Sequence, residues 1–435
     1  MASKMKLLIL MLLLLFVLSG CALLTLEELY CLPKRSEDYE NLQSLIDEAM
    51  EDLTYCAPNS GDNRQSVQTV DLDGDGNNEY LLFAKDESEN PLKILIYSQV
   101  ASGYALMDTI EGYGFAFDFV QYAQMDDKPG LEIIVGRQVS EELPRSISVY
   151  RFSSGYARQM LSTGYTGMAC EDMDQDGIHD LILFTAGVSE RGNGIAVLYS
   201  YENEALERTV ISHLSKPISH FQQVETGLLQ DGSPAVFVTS SEDEYNLKLD
   251  ILAVLDHNLV NLTEGIPIPS VRNYYLYPVD IDEDGIVEIP NPRMLPALSD
   301  DIPQEFIIQW YALDQAGTYT VKDYTYHHHS QGWYIRLLDE WIKDLIIIQD
   351  NGNIRFCTKL SDDQIGCLFT IYTLTGSDRE SEEVLEDKLL LFKGDSIVYA
   401  AKLGELASEY NIQMETIQEI FEPIRKEWNT EEDRK

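Results

Sequence analysis

Asp71-Leu72-Asp73-Gly74-Asp75-Gly76-Asn77-Asn78-Glu79, running straight into Tyr80-Leu81-Leu82-Phe83, is the stretch from which the fold of this 435-residue chain is read. It places carboxylates at loop positions 1, 3, 5 and 9 and a glycine at position 6. The same spacing returns in Asp172-Met173-Asp174-Gln175-Asp176-Gly177-Ile178-His179-Asp180 and in Asp280-Ile281-Asp282-Glu283-Asp284-Gly285-Ile286-Val287-Glu288. Four carboxylates within nine residues repel one another unless a cation lies among them, and hard oxygen donors at this spacing suit calcium. The expected ligands are Asp71, Asp73, Asp75 and Glu79 with the carbonyl of Asn77. The second set is Asp172, Asp174, Asp176 and Asp180 with the carbonyl of Ile178, and the third is Asp280, Asp282, Asp284 and Glu288 with that of Ile286. The expected role of the Ca2+ is structural.

Two worn copies lie between these loops. Met125-Asp126-Asp127-Lys128-Pro129-Gly130-Leu131-Glu132 leads into Ile133-Ile134-Val135, and Leu229-Gln230-Asp231-Gly232-Ser233-Pro234-Ala235 leads into Val236-Phe237-Val238. Aligned on Glu79, Glu132, Asp180, Ala235 and Glu288, the copies stand 53, 48, 55 and 53 residues apart. A steady period near 50 is the mark of a repeat architecture. Each unit continues with a second β-rich run, such as Lys93–Tyr97 or Ala196–Tyr199, then a turn and a third strand. Short aromatic and β-branched runs between Gly, Asn and Asp turns read as antiparallel strands. Three or four of them per repeat match the blade of a propeller.

The loops and their period resemble the FG-GAP or VCBS repeats of integrin-α-like β-propellers. That resemblance implies a mainly β, antiparallel propeller over residues 64–326, with about five visible blades and calcium in the DxDxDG loops. It also implies a binding role with no named ligand. The second and fourth copies have lost the carboxylate ladder and are expected to hold no ion.

At the N-terminus, Lys4 and Lys6 precede the apolar run Leu7–Leu18, and Leu18-Ser19-Gly20-Cys21 closes it with small residues. The run is short for a membrane span and suits an export signal. Its ending resembles a bacterial lipobox, which implies removal of residues 1–20 and a lipid on Cys21. The chain is then expected on the outer face of the cell membrane, tethered by that lipid. A net charge of −43 opposes binding to nucleic acid or anionic headgroups. Six cysteines are present; the pairing of Cys31, Cys56, Cys170, Cys357 and Cys367 stays open, with Cys357 and Cys367 near enough in sequence to bridge neighbouring strands.

Residues 21–63 are expected to hold the lipidated end and a helix over 36–56, with Leu42, Leu45, Ile46, Ala49 and Leu53 at helical spacing, packed on the propeller or covering an open edge. Residues 327–435 are expected to form a small α+β domain. Strands are expected around 345–348, 354–359, 366–374, 388–393 and 396–402, a tight turn at Asp350-Asn351-Gly352-Asn353, and a helix over 412–428. Its Gly332-Trp333 and Glu340-Trp341 opening is faintly similar to the PsbP/Mog1-like domains. His327-His328-His329 reads as a polar surface strand joining the two domains, since alternate residues on a strand face opposite ways.

No Gly-x-Ser-x-Gly elbow, HExxH motif or P-loop is present. The expected role is therefore non-catalytic: binding of an extracellular protein or glycan, or a part in envelope assembly. The alternative is a carbohydrate-active enzyme using acids in the propeller channel. Tyr274, Tyr275 and Tyr277 are candidates for an aromatic binding surface, set against the plainer reading that they pack the blades.

Overall fold

A computed structural model describes residues 37–139, 145–186, 192–243, 246–263, 271–272, 276–296, 304–361 and 364–424. Cys21, Cys31, Tyr274 and Tyr275 fall outside the described residues. Among those described, no helix is long and apolar enough to cross a membrane.

The chain is mainly β, and among the described residues the strands form six antiparallel sheets that follow one another along the sequence. The first comprises Thr54–Tyr55, Val67–Val70, Glu79–Lys85, Leu92–Val100 and Gly103–Gly112. Ala116–Ala123, Glu132–Gln138, Arg145–Ser153 and Tyr156–Tyr165 make the second, and Gly167–Glu171, Asp180–Ala186, Gly194–Glu202 and Ala205–His213 the third. The fourth holds Phe221–Leu228, Pro234–Ser241, Leu247–Leu255 and Asn258–Asn261, with Val271–Arg272 on one edge. The fifth holds Ile289–Met294, Phe306–Leu313, Tyr319–His328 and Trp333–Arg336, and the sixth Leu345–Asp350, Asn353–Ser361, Gln364–Thr375, Leu389–Lys393 and Ile397–Leu403. Within the second and third sheets strand order follows chain order.

The sheets pack face to face in series. Phe83 and Ile94 of the first share a core with Phe117, Val135 and Phe152 of the second. Ile134 and Val149 of the second meet Leu181 and Leu183 of the third. Ile182 and Phe184 then turn the other way and meet Val236 and Val238 of the fourth. Phe237 and Ile251 meet Ile289 and Leu313 of the fifth. Because successive side chains on a strand point to opposite faces, a sheet buried on both sides needs unbroken apolar runs. Leu181-Ile182-Leu183-Phe184, every residue of it buried, is such a run.

The exposed face of the first sheet is covered by the helix Glu37–Ala49, shorter than the 36–56 expected. Leu42 and Ile46 pack on Leu82, Leu95 and Tyr97 of that sheet. The chain then leaves the helix and Thr54–Tyr55 pairs with Ala84–Lys85.

At the other end the expected division differs from what is seen. A boundary after residue 326 would cut the strand Tyr319–His328. Trp333–Arg336 pairs with that strand and completes the fifth sheet, and Phe421–Pro423 returns from beyond the sixth sheet to pair with Trp333–Ile335. Tyr326 and Trp333 share one core with Phe356 and Phe369 of the sixth sheet. Residues 345–403 thus supply a further antiparallel sheet stacked on the fifth, beyond the five repeats expected, and a separate α+β domain is not delineated. The strands expected there are present, and Asn351 and Gly352 take the positive φ values (51° and 81°) of a two-residue hairpin turn. The expected helix over 412–428 is confined to Met414–Ile420. Among the described residues no core cluster joins the sixth sheet to the first.

The histidines are not on a polar surface. His327 and His328 are buried, and the His327 ring lies 5.2 Å from Tyr334 and 6.3 Å from Trp310. His327 Nε2 is 2.9 Å from Thr325 Oγ1. Burial holds the His327 and His328 imidazoles below their ordinary range, and that of His329 falls to about 4. Tyr277 is likewise buried, which favours packing over display.

Candidate metal centres in the acidic loops

The three acidic loops have one local structure. Position 4 takes positive φ at Gly74 (74°), Gln175 (62°) and Glu283 (64°), and position 6 does so at Gly76 (87°), Gly177 (90°) and Gly285 (88°). A Cβ on any of the position 6 glycines would meet nothing, so backbone conformation, not space, calls for glycine there. The position 1 carboxylate holds the turn. Asp71 accepts from Gly74 N (2.8 Å) and Gly76 N (3.0 Å). Asp172 accepts from Asp176 N and Gly177 N, and Asp280 from Asp284 N and Gly285 N, at 2.8–3.1 Å. Position 5 accepts from the position 7 amide: Asp75 from Asn77 N (2.7 Å), Asp176 from Ile178 N (2.8 Å), Asp284 from Ile286 N (2.8 Å).

Position 9 is the buried end of each ladder. One oxygen of Glu79, Asp180 and Glu288 accepts from the position 2 amides of Leu72 (2.9 Å), Met173 (3.2 Å) and Ile281 (3.1 Å). The buried side chains of Leu72, Met173 and Ile281 anchor that amide in the core. Burial, with repulsion from neighbouring acids, pushes all three carboxyls up: Glu79 above its usual range, Asp180 to about 6 and Glu288 to about 7. Glu288 is fully buried and its Oε1 has no hydrogen-bond partner.

Carboxylate oxygens converge to within 4.8 Å of one another in Asp71, Asp73 and Glu79, in Asp172, Asp174 and Asp176, and in Asp280, Asp282 and Glu288. Asp75, Asp180 and Asp284 stand outside these groupings, and Asp284 lies 3.7 Å from Lys322 Nζ. The third sheet's group adjoins a cavity of about 280 Å³ lined by Asp174, Asp180, Ser200, Glu202, Thr209 and His257 among others.

The two worn loops solve the same problem without a ladder. In the second, Glu132 Oε2 again accepts from the position 2 amide, Met125 N, at 2.6 Å. Between the carboxylates sits the Arg151 guanidinium, with Nη1 2.6 Å from Glu132 Oε1 and 3.1 Å from Asp126 Oδ1, and Nη2 donating to Pro129 O at 2.7 Å. Both acid side chains are fully buried. In the fourth loop position 9 is Ala235, and Asp231 accepts from the backbone amides of Ser233 (3.1 Å) and Gln315 (3.0 Å).

Strand register explains who faces position 9. Ile133 pairs with Tyr150, which brings Arg151 opposite Glu132. By the same register Ser98 stands opposite Glu79, Ser200 opposite Asp180, Ala253 opposite Ala235 and Ala312 opposite Glu288. Reading the sequence for ligands misses Arg151. Its signal is the repeat period: it lies 19 residues after Glu132, as Ser98 lies 19 after Glu79.

All five loops lie along one edge of the stack and touch in series. A Cβ on Gly74 would come 2.6 Å from Pro129 Cβ, and one on Gly130 2.3 Å from Leu72 O, so the first two loops are in backbone contact. His179 N donates to Gln124 O (2.7 Å), Gln175 Nε2 to Gly232 O (3.0 Å), and Val287 N to Leu228 O (2.9 Å). Each loop is therefore braced by the next.

No family model matches this chain, and no curated protein matches it. Among solved structures, the rhamnogalacturonan lyase PL11 of Bacillus licheniformis aligns at 10% identity with a TM-score of 0.29, over 72% of this chain and 71% of that one. Sqt1 from Chaetomium thermophilum aligns at 10% identity with a TM-score of 0.30, over 69% of this chain and 74% of that one. Likenesses this slight carry no argument about fold or activity.

Proposed function

We propose that the loops at residues 71–79, 172–180 and 280–288 each hold a structural Ca2+, and that the chain is a calcium-stabilised, non-catalytic binding module of the FG-GAP/VCBS kind. The observation that carries this reading is Arg151. Where the second repeat keeps acids at only two ladder positions, Asp126 and Glu132, the protein supplies its own cation between them. Where a repeat keeps four, the facing residue is Ser or Ala, and no lysine or arginine comes closer than Lys322 at 3.7 Å from Asp284 among the described residues. A buried carboxylate oxygen with no partner is costly, and Glu288 Oε1 is such an atom at the convergence point of the fifth sheet's loop. The all-oxygen donor set favours calcium over a transition metal.

In this reading the stacked sheets are blade-like units, and the ions stiffen alternate loops along one edge. The lipobox-like segment would tether the assembly outside the cell, where calcium is abundant enough for weak sites to fill. The partner is then an extracellular protein or a glycan, and the channel-acid alternative finds no specific support. Titration of the chelator-stripped full chain with Ca2+ tests the metal assignment. Heat of binding with a rise in melting temperature is the expected result, and a flat titration with an unmoved melt would end it.

A further inference from the structure

The sixth sheet carries a feature unrelated to the loops. We infer that Cys357 and Cys367 form a reversible disulfide clasp between two neighbouring strands of the sixth sheet, closed on encounter with an external disulfide such as oxidised glutathione. The pair is a direct cross-strand partner set in the antiparallel register of Asn353–Ser361 with Gln364–Thr375. Directly opposed residues in such a pair have Cα atoms about 4.5–5.5 Å apart, inside the range a disulfide spans. A bulge follows Phe356, and the stacked rings of Phe356 and Phe369, 4.5 Å apart, pin the register beside it.

Both thiols are free and buried, on a face shared with Ile346, Ile348 and Ile365. The neighbouring Cys357 thiol holds Cys367 below its ordinary range, while Cys357 itself is pushed up. Cys367 Sγ also lies 3.7 Å from Thr370 Oγ1, and the cation of Arg355 helps lower it. Cys367, 7% exposed against 0% for Cys357, is the sulfur an external disulfide reaches first, and Cys357 is the resolving thiol. Cys170 differs: its Sγ lies 3.7 Å from Met125 Sδ, and burial pushes its thiol up to about 12.

The chemistry balances as exchange. Cys367 thiolate attacks one sulfur of the external disulfide and expels the first thiolate. Cys357 gives up its proton and attacks Cys367 Sγ, forming the protein S–S bond and expelling the second. Two protein thiols are oxidised, one external disulfide is reduced to two thiols, and the two protons leave with them.

The test is peptide mapping of the full chain after exposure to oxidised glutathione, with alkylation under denaturing conditions. A cross-linked pair of peptides containing Cys357 and Cys367, with Cys56 and Cys170 still alkylated, is the expected result. Reduction should restore both thiols. Full alkylation of Cys357 and Cys367 after oxidation, or a bond from either to another cysteine, would overturn the inference. Order of attack is read from single variants: Cys357→Ser should accumulate a glutathione adduct at Cys367, while Cys367→Ser should accumulate far less at Cys357. Equal adducts would overturn the assignment of nucleophile, and the wild-type map stands even if a variant fails to fold.

Discussion

The second loop and the fifth sheet's loop solve one electrostatic problem in two ways. Both bury a glutamate at position 9 and use it to hold the position 2 amide, at 2.6 Å in Glu132 and 3.1 Å in Glu288. Around Glu132 a guanidinium from the neighbouring strand supplies the opposite charge. Around Glu288 the neighbouring strand supplies Ala312, and three more aspartates crowd the same turn. A covalently attached cation is present at any calcium concentration, while a ladder depends on what the solution provides. Under the proposed calcium reading, the molecule pairs a loop that carries its own cation with others whose stability would follow the medium.

The sharpest way to break this comparison is Arg151→Ala. It would leave Asp126 and Glu132 buried and unpaired, and a loss of about 3–5 kcal/mol is expected in urea unfolding. The loss should appear with calcium and with chelator alike; a variant as stable as the wild type would remove the guanidinium from its assigned role. Next in size is chelation of the wild type. Stripping a site filled at a hundredfold excess over its dissociation constant costs about 2.7 kcal/mol, read as a lower melting temperature that added Ca2+ restores. Asp73→Ala combined with Asp174→Ala should shrink that calcium increment without abolishing it, because the fifth sheet's loop is intact.

Glu288→Gln gives a smaller effect, of about 1–3 kcal/mol, with opposite signs in the two media. In chelator the variant should be the more stable, having lost a buried charge repelled by Asp280, Asp282 and Asp284; in calcium it should be the less stable. Equal shifts in both would dissociate Glu288 from any ion.

The mildest prediction concerns pH. Glu288 and Asp180, raised to about 7 and about 6 in the folded chain, bind protons there that the unfolded chain has already released. Ion-free stability from these groups therefore falls as pH rises from about 4 to 7. His327, His328 and His329 act the other way, since their lowered imidazoles remove stability as pH drops below about 6.5. These histidines are common to both media, so the melting difference between calcium and chelator isolates the loops. That difference should widen from pH 5 to pH 8.

Much of this was legible from the chain itself. The ladders at 71–79, 172–180 and 280–288, the period near 50 and the Asn351-Gly352 turn are local patterns, and each appears where the residues place it. Arg151 escaped because its role depends on strand register, which joins residues 19 apart and leaves no mark on the loop. The boundary after residue 326 failed for a related reason. Trp333–Arg336 looked like the start of something new, yet its hydrogen-bonding partners lie on both sides of the sequence, in Thr325–His328 and in Phe421–Pro423. The buried histidines were hidden by the same non-local packing, since polarity alone suggests a surface strand.

Phe421–Pro423 has a consequence for how the protein is made. The edge of the fifth sheet along Trp333–Ile335 stays open until Phe421–Pro423 has arrived, with all of the sixth sheet already synthesised in between. A chain threaded outward from its N-terminus would emerge with its early sheets folded and this edge waiting. A chain ending before Phe421 would strand an unpaired, apolar β-edge along Trp333–Ile335, a template for association with another copy.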